Sequence, residues 1–420
     1  MLLSFRAANH RSLRDEQQLL LTPAYEPAAP ADTPWEALTV AGIFGPNASG
    51  KSNVIDALQY MADMVHGSFR ESEPGGGVER HPFALDPGLS EEPSTFVVDV
   101  ELDKIRYTYG FALDDVRIIE EWMYSYPNKR KRTIFHRKGD DYTYGEHSPE
   151  GLRQVEQLTE PNVLFLSVAV RSKQDILRPV YAWFSNIRYL SPQRPYRHRV
   201  IDDFMSPSEL KRLSTLLRAA DTGIEALELI DETEEEFTAR IANYPKTLER
   251  TPPRRKRLVF RHRGAAGDVM LRPRDQSLGT QTLYGLSVPA FSALDKGTLL
   301  VVDELDSSLH PFLTAQLIGL FRDPATNPRG AQLIFTSHDV SLLGRIQGQG
   351  ILQRDHVWFT EKDDSGATEL FPLSEFKPRK DENRERRYLA GRYGAVPVIN
   401  DELFVAAIAA REDSDVSEDS

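Results

Sequence analysis

The sequence contains no cysteine, which excludes disulfide bonds and metal sites built from thiolates. It has no apolar run long enough to cross a bilayer, and its first residues do not form a leader of charged, apolar and small residues. We therefore expect a cytoplasmic protein without a membrane partner. The net charge of -12 argues against a protein coated in nucleic acid, although it leaves room for a local basic groove.

The rest of the composition is that of an ordinary globular protein, with 40% hydrophobic and 27% charged residues. A chain of 420 residues leaves room for roughly two or three domains. Part of the acidity is concentrated in residues 231–236 and 412–420. We expect both segments to be solvated and the second one to be disordered.

One segment reads Gly-Pro-Asn-Ala-Ser-Gly-Lys-Ser and matches the phosphate-binding pattern G-x-x-x-x-G-K-[ST] at every fixed position. An apolar run precedes it and a helix-like run follows, which is the order of strand, loop and helix that the motif requires. The glycines let backbone N–H groups point at phosphate oxygens, and the start of the next helix adds a positive dipole end. The lysine reaches the outer phosphates, and the serine hydroxyl ligates Mg²⁺. The residues expected to bind a nucleoside triphosphate are therefore Gly45, Pro46, Asn47, Ala48, Ser49, Gly50, Lys51 and Ser52.

A second element of the same chemistry lies far along the chain. Residues 299–302 (Leu-Leu-Val-Val) form an apolar strand that ends in Asp303 and Glu304. Asp303 is placed to hold Mg²⁺ next to Ser52, and Glu304 is placed to orient or deprotonate the attacking water. His338 follows the next apolar run, where it can reach the γ-phosphate. The sequence predicts a catalytic set of Glu304, His338 and Lys51 and a metal site of Ser52 and Asp303.

A third element is the helix start within residues 275–281, where Ser277 and Gly279 stand. A serine hydroxyl and a glycine N–H that open a helix form an anion-binding surface. Taken alone, Ser-Leu-Gly-Thr is a common helix start and indicates little.

The pattern of apolar residues divides the chain. Alternation with period two over residues 94–144 predicts an antiparallel meander. Helical spacing follows, with a helix start near Ser206, and buried parallel strands return near residue 297. The predicted division has four parts. The nucleotide-binding core is split between residues 1–93 and 258–400, and a β meander occupies residues 94–145. A mainly helical insertion covers residues 146–257, and a C-terminal helix with an acidic disordered tail covers residues 401–420.

The order of these elements resembles that of ABC-type ATPase heads, in the branch of RecF-, SMC- and OLD-like proteins. Residues 9–12 (Asn-His-Arg-Ser) and Asn53 are similar to positions typical of that branch. Residues 355–362, 366–370 and 388–397 resemble the RloA/AbiL-type ATPases of bacterial phage defence. The fold that this resemblance implies is α/β, a P-loop NTPase of the ABC-ATPase head type, with a mixed central sheet, an antiparallel β lobe and an inserted helical region.

The resemblance also implies partners and roles. ATP and Mg²⁺ would join two heads into a homodimer or a higher even oligomer, with Ser277 and Gly279 acting on the nucleotide of the other subunit. Asn53 and Arg11 would lie near the nucleotide, and residues 306–310 at the dimer seam. The implied effector is a separate Toprim-type (RloB-like) or HNH protein.

Three departures from the ABC pattern stand out. The helix start reads Ser-Leu-Gly-Thr instead of Leu-Ser-Gly-Gly. There is no convincing glutamine to sense Mg²⁺, since Gln59 lies inside the first helix. The linker ends in His310, where many ABC proteins have aspartate.

The main hypothesis is an ATPase whose cycle controls an effector in antiviral defence. The alternative is a DNA-binding repair head of the RecF/SMC type, and a third reading is a scaffold that holds ATP but barely hydrolyses it. Two basic clusters are candidates for DNA contact, namely residues 129–132 and residues 254–257 with Arg261 and Arg263. The second is the better candidate, because it leads into a predicted strand that would hold it in place.

Overall fold

The computed structural model describes residues 1–24, 37–146, 148–191, 206–220, 222–242, 256–377, 382–397 and 400–409. Its helices are α1 (Lys51–Glu71), α2 (Leu152–Glu156), α3 (Phe165–Arg171), α4 (Arg178–Asn186), α5 (Pro207–Ala219), α6 (Glu234–Ala242), α7 (Leu278–Lys296), α8 (Pro311–Arg322), α9 (Arg384–Leu389) and α10 (Asp401–Ala409). None of the helices in these ranges is both long enough and apolar enough to span a membrane.

The strands form two large sheets and two small ones. They are β1 (Leu2–Ala8), β2 (Gln17–Leu20), β3 (Val40–Phe44), β4 (Ser94–Leu102), β5 (Ile105–Leu113), β6 (Ile118–Ser125), β7 (Arg132–Lys138), β8 (Asp141–Tyr144), β9 (Arg188–Leu190), β10 (Ile224–Asp231), β11 (Lys256–Gly264), β12 (Gly267–Leu271), β13 (Leu299–Val302), β14 (Gln332–Thr336), β15 (Arg345–Ile346), β16 (Gln349–Gly350), β17 (Val357–Lys362) and β18 (Thr368–Pro372).

The central sheet has six strands in the order β18-β17-β3-β14-β13-β9. All neighbours are parallel except β18, which runs antiparallel to β17 at the edge. Strands β3, β13 and β14 are buried at every residue, as expected for parallel strands covered on both faces. Their carboxyl ends lie side by side, which is the edge where open α/β sheets bind ligands.

Successive residues of β13 point into two different hydrophobic clusters. Leu299 and Val301 belong to a cluster that also contains residues of α1, α3 and α4. Leu300 and Val302 belong to a second cluster that contains residues of α5, α7 and α8. Because side chains alternate along a strand, an uninterrupted apolar run covers both faces of the sheet.

The second large sheet is antiparallel, in the order β2-β1-β4-β5-β6-β7-β8. The predicted meander corresponds to β4–β8, and the two short N-terminal strands extend it. Gln332, buried at the start of β14, fastens this sheet to the central one. Its side chain accepts a hydrogen bond from the Leu2 N–H at 2.5 Å and donates to the carbonyl oxygens of Leu2 and Leu38, both at 2.9 Å.

The region predicted as a mainly helical insertion contains α2–α6 together with two strands that the pattern did not indicate. Strand β9 has three residues, too few to show a period, and it pairs with β13 in the central sheet. Strand β10 pairs with β11 in a three-stranded sheet. Helix α5 begins at a capping box formed by Ser206 and Glu209. The predicted tail 412–420 and basic residues 254 and 255 lie outside the described residues.

Candidate functional site

The predicted phosphate loop lies between β3 and α1 and requires glycine at two positions. A Cβ atom at Gly45 would lie 2.4 Å from the carbonyl oxygen of Thr360. Gly50 has a φ of 101°, and a Cβ atom there would lie 2.0 Å from Thr368 Oγ1. Asn47 and Ala48 form the exposed crest of the loop. The conformation and the close packing therefore leave no room for a side chain at either glycine.

Three hydroxyl side chains from distant parts of the chain support this loop. Ser49 Oγ shares a hydrogen bond of 2.6 Å with Thr360 Oγ1 on β17. Thr368 Oγ1 on β18 donates to the Ser49 carbonyl oxygen at 2.9 Å and lies 2.7 Å from Ser12 Oγ. Asn53 Nδ2 on α1 donates to the same Ser12 oxygen at 2.5 Å. The motif did not indicate Ser12, Thr360 or Thr368, because their role depends on which strands lie beside β3.

Lys51 is buried at the first turn of α1, and its side chain folds back over the loop. The ammonium group donates to the carbonyl oxygens of Gly45 and Pro46, both at 2.9 Å. Burial lowers the Lys51 pKa to about 8, against the attraction of the carboxylates of Asp303, Glu304 and Asp306. A cation that has lost most of its water and faces the loop is prepared to bind a multiply charged anion.

Asp303, Glu304 and Ser52 meet at the end of β13 through Thr336. Ser52 Oγ donates to Asp303 Oδ1 at 3.1 Å, and Thr336 Oγ1 donates to the same oxygen at 2.6 Å. The Thr336 hydroxyl also accepts a hydrogen bond from the Glu304 N–H at 2.7 Å. Glu304 has a φ of 54° and an exposed side chain. Thr336 therefore fixes both acidic residues, although the sequence analysis gave it no role.

These residues fit a nucleoside triphosphate with Mg²⁺. Gly50 caps α1 without a side chain, and no side chain among the described residues bonds to the first-turn N–H groups as a cap. The Asn53 N–H donates to the Gly50 carbonyl oxygen at 2.9 Å, which leaves the N–H groups of Lys51 and Ser52 to bind an anion. No cluster of three or more histidine or acidic side chains within the described ranges could hold a metal. A serine and one carboxylate suit Mg²⁺, which in such sites also takes oxygen ligands from the phosphates.

His338 lies at the end of β14, one strand away from the loop. Its N–H group donates to both carboxylate oxygens of Asp306, at 3.3 Å each, and its side chain is exposed. These hydrogen bonds connect the linker that follows β13 to the loop that follows β14. The imidazole lies at the sheet edge that carries the other site residues.

The start of α7 lies against the same linker. Ser277 is the exposed N-cap residue of α7, and its hydroxyl accepts from the Thr280 N–H at 3.2 Å. A Cβ atom at Gly279 would lie 2.9 Å from the Ser308 carbonyl oxygen. The neighbouring Leu278 is 66% exposed, and Phe312, which follows the linker, is 47% exposed. Ser277 is therefore open to a second molecule.

Arg11 follows β1 and lies beside α1. Its guanidinium forms an ion pair with Asp56 of α1, which also bonds to the buried His10 ring at 2.8 Å. Asp56 is one and a half turns along α1 from the loop. The Arg11 guanidinium is thus bound to α1, although 42% of the side chain stays exposed.

The sequence of residues 40–344 matches the model of a family, AAA_21, described as "AAA domain, putative AbiEii toxin, Type IV TA system". The chain belongs to this family. Together with the strand order, membership confirms the predicted fold class, an α/β P-loop NTPase of the ABC-ATPase type with an antiparallel β lobe. The narrower assignment to RloA/AbiL-type ATPases stays a prediction.

Two solved structures are similar to this AAA_21 member at low identity. One is the SMC head domain from Thermotoga maritima, with 15% identity, a TM-score of 0.43 and coverage of 88% of this chain and 98% of that one. The other is an SMC head bound to the C-terminal winged-helix domain of ScpA, with 11% identity, a TM-score of 0.43 and coverage of 90% and 99%. No curated protein matches the sequence.

The lowered pKa of Lys51 predicts how ATP affinity of this AAA_21 protein changes with pH. Without nucleotide, Lys51 carries its charge below about pH 8 and loses it above. Bound phosphates would raise the Lys51 pKa and keep the side chain charged. The dissociation constant of ATP should be constant from pH 7 to 8 and rise by about tenfold per unit from pH 8 to 9.5. Calorimetry at constant ionic strength measures it, with circular dichroism as a control for folding. A constant affinity up to pH 9.5 would contradict this prediction.

The contacts of Thr336 predict a positioning role at the acidic end of the site. Thr336→Val keeps the shape but removes the hydroxyl that bonds to Asp303 and Glu304. Binding of ATP without Mg²⁺ should stay unchanged, whereas the affinity for Mg²⁺ in the presence of ATP should fall by about 10- to 100-fold. Titration of Mg²⁺ with a fluorescent ATP analogue reports both. Thr336→Ser, which keeps the hydroxyl, is the control, and an equal loss in both variants would show that only packing matters.

Proposed function

We propose that this protein is an ATPase that binds ATP and Mg²⁺ between two copies of the chain and controls a separate effector. The observation that carries the proposal is the convergence of Lys51, Ser52, Asp303 and Glu304 at one edge of the central sheet. The first two come from the loop after β3 and the others from the end of β13. This combination of a phosphate cradle, a metal-binding pair and a free carboxylate suits hydrolysis of a phosphoanhydride.

Each residue has a task in that reaction. Backbone N–H groups of the loop and the Lys51 ammonium bind and orient the phosphates, and Ser52 and Asp303 hold Mg²⁺, which neutralises phosphate charge. The Glu304 side chain is exposed at the sheet edge while its N–H group is fixed by Thr336. We assign it the role of the base that takes the proton of the attacking water. His338 is assigned to the γ-phosphate.

Dimerisation is supported by the exposed start of α7. Ser277 and Gly279 lie against the linker that carries Asp306, and two large apolar side chains, Leu278 and Phe312, are exposed near them. A symmetric dimer would bury this surface and bring Ser277 to the phosphates of the other subunit. Nucleotide binding would then control assembly.

The effector and the role in antiviral defence follow from the resemblance to RloA/AbiL-type ATPases. We propose a Toprim-type or HNH nuclease as the effector and the cytoplasm as the location. Nuclease chemistry is assigned to that separate protein.

Direct DNA binding is the second candidate function, and the two basic clusters differ in how well they support it. In the second cluster the arginines on β11 are paired with acidic residues, since Arg261 pairs with Glu228 at 2.8 Å and Asp268 at 2.6 Å, and Arg263 pairs with Glu225 at 3.5 Å. Residues 129–132 are exposed in the turn before β7 and at its first residue. They are therefore the better candidate, in contrast to the preference drawn from the sequence.

Replacing the basic residues 129–132 with glutamine tests the DNA hypothesis. If they bind phosphates, the wild type should bind duplex DNA with an affinity that falls steeply with salt, and the variant should lose that affinity and most of the salt dependence. Fluorescence anisotropy at several salt concentrations measures both. Equal binding by the two proteins, or none by either, would remove DNA contact through this turn.

The assigned base and the phosphate-binding lysine can be separated by two substitutions. Glu304→Gln should retain ATP binding, abolish hydrolysis and stabilise the ATP-bound dimer, since the base is lost while its shape remains. Lys51→Ala should abolish ATP binding, because it removes the cation buried under the phosphates. Phosphate release and light scattering with and without ATP measure these effects.

Equal hydrolysis by the wild type and Glu304→Gln would remove the assigned base. If neither protein hydrolyses ATP and both bind it tightly, the result would favour the hypothesis of a scaffold that holds ATP.

A further inference from the structure

The helix α10 exposes an apolar surface that the other described residues of the chain do not cover. Its sequence is Asp-Glu-Leu-Phe-Val-Ala-Ala-Ile-Ala, so seven apolar residues follow two acidic ones. Residues 401–407 are all exposed, with Leu403 at 67%, Phe404 at 69% and Val405 at 69%. Neither hydrophobic cluster of the described residues includes a residue of this helix. A helix that is apolar on every side is normally buried.

The helix is specified by its own sequence. The side-chain oxygen of Asn400 accepts a hydrogen bond from the Leu403 N–H at 3.1 Å, which is the contact of an N-cap residue. Asp401 and Glu402 stand in the first turn, where carboxylates interact favourably with the helix dipole. These contacts stabilise the first turn, and packing against a partner would supply the rest of the stability of a nine-residue helix.

The charges on both sides of the apolar run indicate what covers it. Asp401 and Glu402 precede the run, and residues 411–420 contain five acidic residues and one arginine. If a second copy of α10 covered the run, the acidic flanks of the two helices would meet in either orientation and repel each other. The net charge of -12 on each chain adds to this repulsion. Anionic headgroups would repel the same flanks. An apolar groove with a basic rim complements both features.

We propose that α10 is a docking helix that inserts its apolar face into a groove, rimmed by lysine and arginine, on a separate protein. The mode is that of a helix laid in a hydrophobic groove. Phe404 is the main anchor, and Leu403 and Ala407 lie beside it on the same side of the helix. The partner is the effector named in the proposed function, and in this respect the inference rests on that proposal.

The test uses the full chain and the purified product of the adjacent open reading frame, which is the candidate effector. Phe404→Asp places a charge at the centre of the apolar face and should weaken the complex by about tenfold or more. Val116→Asp is the matched control, because Val116 is 68% exposed in the turn between β5 and β6, and it should bind as the wild type does. Affinity of the wild type should fall as salt is raised. Calorimetry measures all three.

The outcomes separate the inference from the proposed function. If the complex forms and Phe404→Asp leaves it intact, the docking helix is wrong while the proposed function stands. If the wild type forms no complex, the effector clause of the proposed function fails and the inference with it. A wild type that is dimeric without nucleotide in light scattering, beside a monomeric Phe404→Asp, would identify a second copy as the occupant and overturn the inference. ATP hydrolysis by Phe404→Asp should equal that of the wild type, which controls for folding.

Discussion

The site depends on the order of three parallel strands. Because β14 lies between β3 and β13, the hydroxyl of Thr336 at its end can bond to Asp303 and to the Glu304 N–H at once. Ser52 from the phosphate loop bonds to the same Asp303 oxygen. One carboxylate thus joins the loop that would hold the phosphates to the strand that would supply the base. Residues separated by some 250 positions act together because their strands end at the same edge.

The phosphate loop itself is held from behind by strands that follow the site in the sequence. Thr360 and Thr368 contact Ser49, Gly45 and Gly50 from β17 and β18. This close packing leaves no room for side chains at the glycines and keeps the loop carbonyls fixed around the Lys51 ammonium. The Lys51 ammonium is buried against the loop and donates to the carbonyl oxygens of Gly45 and Pro46, and this burial lowers the Lys51 pKa.

The sequence predicted the site residues whose conformation depends on their immediate neighbours in the chain. The motif from Gly45 to Ser52 and the apolar strand before Asp303 each specify their own turn or strand, and the parallel-sheet rule places them together. Thr336, Thr360 and Thr368 were missed, because a threonine in a buried strand indicates nothing until the neighbouring strand is known. Strand β9 was missed since three residues show no period. That Ser277 acts on a second subunit stays a prediction, since a single chain contains only half of that contact.

The central claim is that one nucleotide is held by Lys51 of one subunit and Ser277 of the other. Mixing two inactive variants tests it most directly. Lys51→Ala lacks the phosphate cradle but has an intact helix start, whereas Ser277→Arg has the cradle and blocks the contact of α7. If each site is shared, the mixed dimer contains one complete site, and the mixture should hydrolyse ATP although neither variant does so alone. A mixture as inactive as its components, or full activity of Ser277→Arg by itself, would contradict the account.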